Sequence, residues 1–244
     1  LAQTLGAGRQ IGHHLGHTID IHGGGQDLIF PHHENEIAQG ACANGTLYCR
    51  TWVHNSFVTV DGQKMSKSLG NVLLVRDLLS QAPGEAIRFA LLSTHYRRPM
   101  DWNAQRLQTA VQTLTRLYSS LSKVSKVPAA PDVVPDEKVL EALKNDLSVT
   151  EALARLHVLR SAVDSAETDE EKALSKAKLI NSAAILGLLQ QDPAVAIQAL
   201  MPPPDTQQTP THRHHLESLL DARNQARAAR DFAKADALRD ELLA

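Results

Sequence analysis

The chain has 244 residues, of which 43% are hydrophobic and 21% charged, and a formal net charge of −2. That is enough chain to bury a core, which excludes a peptide, a collagen and a disordered tail; Lys+Arg against Asp+Glu number 8 and 8 over residues 1–103, 11 and 13 over 104–211 and 6 and 6 over 212–244, so no segment is a basic arm. No apolar run nears the ~18 residues of a membrane helix and no basic-then-apolar leader is present; with only Cys42 and Cys49, the chain reads as cytoplasmic, free of disulfides and not membrane-bound.

Up to Asn103, β-like runs at Thr18–Ile21 and Trp52–Val60 alternate with glycine turns and a helical stretch at Gly84–Thr94, the pattern of an α/β domain. Beyond it the text reads as helices. Leu107, Val111, Leu114, Tyr118 and Leu121 recur at steps of three and four, the period of one buried helical face. A second long segment carries Leu140, Leu143 and Leu147, then Leu153, Leu156, Leu159 and Val163; a third runs over Glu170–Leu189 and a fourth over His212–Leu243. The proline-bearing stretches Val127–Pro135 and Met201–Thr211 cannot continue a helix and act as linkers. The expected fold class is therefore α/β followed by all-α: an α/β piece over 1–103, a helical bundle over 104–200, a linker over 201–211 and a last helix over 212–244.

Three strings carry chemistry. Lys64-Met65-Ser66-Lys67-Ser68 follows a β-like run and the Asp61-Gly62 turn. Two ammonium groups three residues apart can meet one polyphosphate and offset the charge that builds during displacement at phosphorus. A solvated turn is the plain alternative. In Pro31-His32-His33-Glu34-Asn35-Glu36, proline suits a helix start, and four-residue spacing puts His32 and Glu36 on one face within reach of one ion. On that helix His33 and Glu34 are expected to point elsewhere, and Cys42 to be a small buried residue. A surface hydrogen bond between His32 and Glu36 is the plain alternative. Asp20-Ile21-His22-Gly23-Gly24-Gly25-Gln26-Asp27 runs a strand end into glycines, where backbone can approach a ligand or simply turn. The tract Gly12-His13-His14-Leu15-Gly16-His17 has no carboxylate partner nearby and carries no assignment.

Together these strings resemble the cysteinyl-tRNA synthetase family. The match comprises residues 20–27, 30–39, 60–71 and the His95-Tyr96-Arg97-Arg98 string, in the family's order and spacing, with Asn145–Leu153 and Ala235–Asp240 agreeing further on. The resemblance implies the C-terminal half of a class I Rossmann-type catalytic domain, then a helical-bundle anticodon-binding domain, with a DALR-type helix at 212–244. It implies a ligase that activates cysteine with ATP and magnesium and esterifies tRNA(Cys). Lys67 would contact ATP and Lys64 support the leaving pyrophosphate, these two being the catalytic lysines. His32 and Glu36 would be two of four zinc ligands, the others being family cysteines. Zinc gripping sulfur would separate cysteine from serine without an editing site. His22 and Asp27 would lie near the amino acid, and Arg227, Phe232 and Asp236 would face the anticodon. The family's HIGH-type nucleotide signature and its zinc cysteines have no counterpart here; Ala7 stands where one cysteine is expected. The expectation is a monomeric C-terminal portion, inactive until joined by a separate N-terminal half. A mycothiol-pathway cysteine ligase and a non-catalytic tRNA-binding relic are the rival readings.

Overall fold

The computed structural model describes residues 13–65 and 71–201. The chain divides into two units, Leu1–Leu200 and Met201–Ala244, and the elements below belong to the first. The helix expected over 212–244 lies outside the described residues.

β1 (Ile19–Gly25) and β2 (Cys49–Asn55) pair in parallel, with His22 opposite Trp52 and Gly24 opposite His54. Parallel neighbours cannot be joined by a tight turn, so the chain crosses over between them through helix α1 (Glu34–Asn44). Gly45, left-handed at φ 63°, closes α1 with its N–H donating to Ala41 O. Ile19, Tyr48 and Cys49 form a small core here, with Trp52 packed against it. The triple glycine is thus strand rather than turn: β1 runs through Gly25.

A second sheet has the order β4-β3-β5, built from β3 (Val58–Val60), β4 (Gln63–Lys64) and β5 (Met100–Trp102). The run expected over Trp52–Val60 is therefore two strands, divided at Ser56, whose N–H donates to Tyr96 O. Helices α2 (Val75–Leu78) and α3 (Gly84–Leu92) precede β5.

The bundle holds most of the core. α4 (Ala104–Lys123) is capped by Asn103, whose side chain accepts from Arg106 N, and it buries Leu107, Leu114, Leu117, Tyr118 and Leu121. Tyr118 is fully buried; its hydroxyl donates to Glu85 Oε2 (2.8 Å), and Glu85 Oε1 accepts from Leu189 N (2.7 Å). Burial, with that carboxylate second, pushes the Tyr118 phenol well above its ordinary pKa. One carboxylate thus ties α3, α4 and the turn after α7 together.

The segment expected as one helix over Leu140–Val163 is two, α5 (Glu137–Lys144) and α6 (Val149–Ser165). Between them Asp146 (φ 52°) and Leu147 (φ 53°) turn left-handed, which no helix sustains. Leu147 is half-exposed for the same reason. α7 (Asp169–Ala184) opens with a capping box: Thr168 Oγ1 accepts from Glu171 N and Glu171 returns the bond to Thr168 N. It ends before Gly187 (φ 67°), and a short α8 (Pro193–Leu200), not anticipated from periodicity, follows. No helix among the described residues is long and apolar enough to cross a membrane.

Candidate active site

In parallel strands, registered residues share a face, so His22, Gly24, Trp52 and His54 line one side of the β1–β2 pair. The start of α1 lies over that side. His22 stacks edge-on to His33 (centroids 4.9 Å apart) and tilts against Trp52 (4.6 Å); His54 lies parallel to Trp52. Gly24 makes the approach feasible: a Cβ there would sit 2.7 Å from His33 Cε1 and 3.1 Å from its Nε2. The glycine is an imidazole seat.

α1 begins at Glu34, three residues later than proline placement suggests, because Ile29–His33 forms a wider turn in which Phe30 is extended (φ −136°, ψ 134°). The i, i+4 relation survives: His32 Nε2 lies 3.5 Å from Glu36 Oε1. The expectation that His33 points elsewhere is overturned. The wider turn rotates His33 inward, where it is 3% exposed and its Nδ1 is 2.8 Å from His54 Nε2, one nitrogen donating to the other. One ligand atom each from His22, His33 and Glu36 lies within 4.8 Å of the others. Glu34 stays exposed.

The electrostatics favour an electron acceptor at that point. His22 Nε2 is 3.2 Å from Glu36 Oε2 without the alignment of a hydrogen bond, so that oxygen is buried and has no hydrogen-bond partner. A buried polar atom left so costs about 1–3 kcal/mol unless something shares its lone pairs. Burial lowers the His33 pKa, with His22 second, keeping that imidazole neutral and able to donate electrons. Two imidazoles and one carboxylate are the donor types of a zinc site. They fit such a cation.

Asp27 is exposed, with its carboxylate folded over Gly25, and is not in that group. Lys64 sits on β4 of the other sheet, opposite Thr59, and is exposed. Lys67, Arg227, Phe232 and Asp236 lie outside the described residues. The expectation that Cys42 is buried is overturned, since it is exposed; Cys49, assigned no role from the sequence, is the buried cysteine, its Sγ 3.0 Å from Thr51 O. His33 and His54 escaped sequence reasoning because the wider Ile29–His33 turn brings in the first and strand register the second, and no helical spacing reveals either.

Residues 9–112 match the family described as tRNA synthetases class I (C) catalytic domain, and residues 138–190 match the DALR domain. The DALR match thus falls on α5 to α7, upstream of the 212–244 helix for which that name was expected. A Cysteine--tRNA ligase of Rhodospirillum rubrum is 50% identical over 230 residues, covering 94% of this chain and 49% of that protein. One from Paramagnetospirillum magneticum is 49% identical over 235 residues, covering 95% and 50%. The chain spans about half the length of the curated relatives it matches. Among solved structures, the LeuRS-tRNA-LeuAMS ternary complex of Agrobacterium radiobacter K84 agnB2 superposes with a TM-score of 0.54 at 20% identity, covering 75% of this chain and 27% of that one. This likeness concerns the fold alone.

Proposed function

We propose that the chain is part of a class I tRNA synthetase, as the matched catalytic and DALR domains and the cysteine--tRNA ligase relatives support, and that it supplies the metal-binding and signature-loop portion of a cysteine--tRNA ligase. The reaction is the attack of a cysteine carboxylate on the α-phosphorus of ATP, releasing pyrophosphate, followed by transfer of the cysteinyl group to the 3′ end of tRNA(Cys) with release of AMP. It runs in the cytoplasm with magnesium-bound ATP, on a monomer. The observation that supports this reading is the buried Glu36 oxygen without a hydrogen-bond partner, grouped with His22 of β1 and His33.

His22, His33 and Glu36 are the residues that would hold zinc with a position left open, and His32, on the same face as Glu36, is the alternative imidazole. A bound zinc supplies a soft acceptor for the substrate's sulfur, which a serine hydroxyl cannot match. Glu36 contributes the negative charge, and the His33–His54 pair fixes the His33 ring, the outer-shell arrangement that orients a ligand. His22 and Asp27 border the bound amino acid. Lys64 and Lys67 meet the charge gathering on the departing pyrophosphate, each such donor lowering a barrier by about 3 kcal/mol. Arg227, Phe232 and Asp236 read the anticodon by hydrogen bonds and stacking on a splayed base.

Filter binding with tRNA(Cys) tests the recognition half. Retention of tRNA(Cys) over other tRNAs, weakened in Phe232→Ala, is expected; equal retention of all tRNAs contradicts it.

A further inference from the structure

The Asp61-Gly62 turn that leads into Lys64 is not held by its own hairpin alone. β3 and β4 pair only through Thr59↔Lys64 and Val60↔Gln63, and both turn residues are left-handed (Asp61 φ 49°, Gly62 φ 75°), the geometry of a two-residue hairpin turn. So short a hairpin is marginal in water. The third strand supplies the support. Asp101 Oδ1 accepts from Gly62 N (2.7 Å) and from Thr59 Oγ1 (2.7 Å), while its Oδ2 accepts from Asn103 Nδ2 (3.0 Å). Asp61 N donates to Trp102 O beside it (3.1 Å).

Asp101 itself cannot drift. Its strand neighbours Met100 and Trp102 are each 6% exposed in the main core, and Arg106 Nε donates to the Asp101 carbonyl (2.8 Å). The far side of the signature string is tied as well, Asn71 Nδ2 donating to Lys64 O (3.2 Å). We infer that Asp101 is a positioning residue for Lys64: its carboxylate clamps the turn at Gly62 to the bundle-backed strand β5 and so fixes where Lys64 presents its ammonium group to a triphosphate.

This role rests on the ligase reading, whereas the clamp itself does not, and two measurements separate them. On the chain alone, amide hydrogen exchange at Gly62 is expected to speed up by at least about tenfold in Asp101→Ala, the loss of a charge-assisted bond. Asp101→Asn, which keeps one acceptor oxygen, falls between, and protection of the α4 and α6 amides is unchanged. Unaltered Gly62 exchange overturns the clamp. In the complex with an N-terminal half, cysteine-dependent ATP–pyrophosphate exchange is expected to lose kcat about tenfold in Asp101→Ala with KM for cysteine unmoved, Asp101→Asn again intermediate. Faster Gly62 exchange with an unchanged kcat overturns the positioning role. No exchange from the wild-type complex overturns the ligase reading and that role together, and leaves the Gly62 rate to decide the clamp.

Discussion

Glu36 is the side chain whose surroundings make least sense without a ligand, since its Oε2 is buried beside a nitrogen that does not bond it. Replacing it with glutamine keeps the shape and removes the charge. Zinc affinity, measured by chelator competition on the chain, is expected to fall at least about tenfold in Glu36→Gln, by the range seen when metal-site groups are altered. Equal affinity in the two proteins contradicts the assignment. Gly24→Ala probes the same centre from the strand side: its methyl would occupy the His33 seat, so zinc affinity should drop while the helical circular dichroism of the bundle stays. Sequence spacing finds His32 and Glu36 because four residues make one helical turn. It misses His33 and His54, which meet through the wider Ile29–His33 turn and through β1–β2 register, both set by tertiary packing.

At the level of elements, Asp136 gathers most of the joints. It caps α5 through Lys138 N, pairs with Arg155 of α6 through two bonds (2.9 and 3.0 Å), and its own N–H donates to Ser182 Oγ of α7. The Arg155 guanidinium holds the Asp136 carboxyl below its ordinary value of 3.8, against the opposing effect of burial. A depressed carboxyl stabilises the folded state above its unfolded pKa, and that contribution fades as pH falls through the folded value. Asp136→Asn should therefore cost about 3 kcal/mol at neutral pH, the usual loss when one partner of a buried pair is removed. The Tm gap from wild type should hold from pH 6 to 8 and narrow below about pH 4; a gap that widens on acidification contradicts the pairing. Helix periodicity made α4 and α6 legible, since each buries one leucine-rich stripe, whereas α7 buries Ala177, Leu179, Ser182 and Ala183. The break at Asp146–Leu147 was not, because the leucine steps run on across it. There His95 Nε2 meets the Asp146 carbonyl, and Tyr96 and Arg97 donate to the Asp146 carboxylate. β4, β5 and α8 are too short for periodicity to register.

For the whole molecule, composition and net charge said little, since the features that matter are local: the buried oxygen of Glu36, the Gly24 seat for an imidazole and the clamped Asp61-Gly62 turn. The matched strings reached further, because they fall on the pieces that build the site: residues 20–27 on β1 and the turn after it, and residues 30–39 on the wider turn and the start of α1. The central claim is that this chain brings the sulfur-selecting and pyrophosphate-stabilising groups to a site completed by another half. The measurement that tests it is ATP–pyrophosphate exchange dependent on cysteine. The chain alone should give none, and the chain with the N-terminal half of the Rhodospirillum rubrum relative should give exchange that serine does not support and that Lys64→Ala reduces by about a hundredfold, the loss of one transition-state donor. Robust exchange from the chain alone, or none from the completed pair, would contradict the claim.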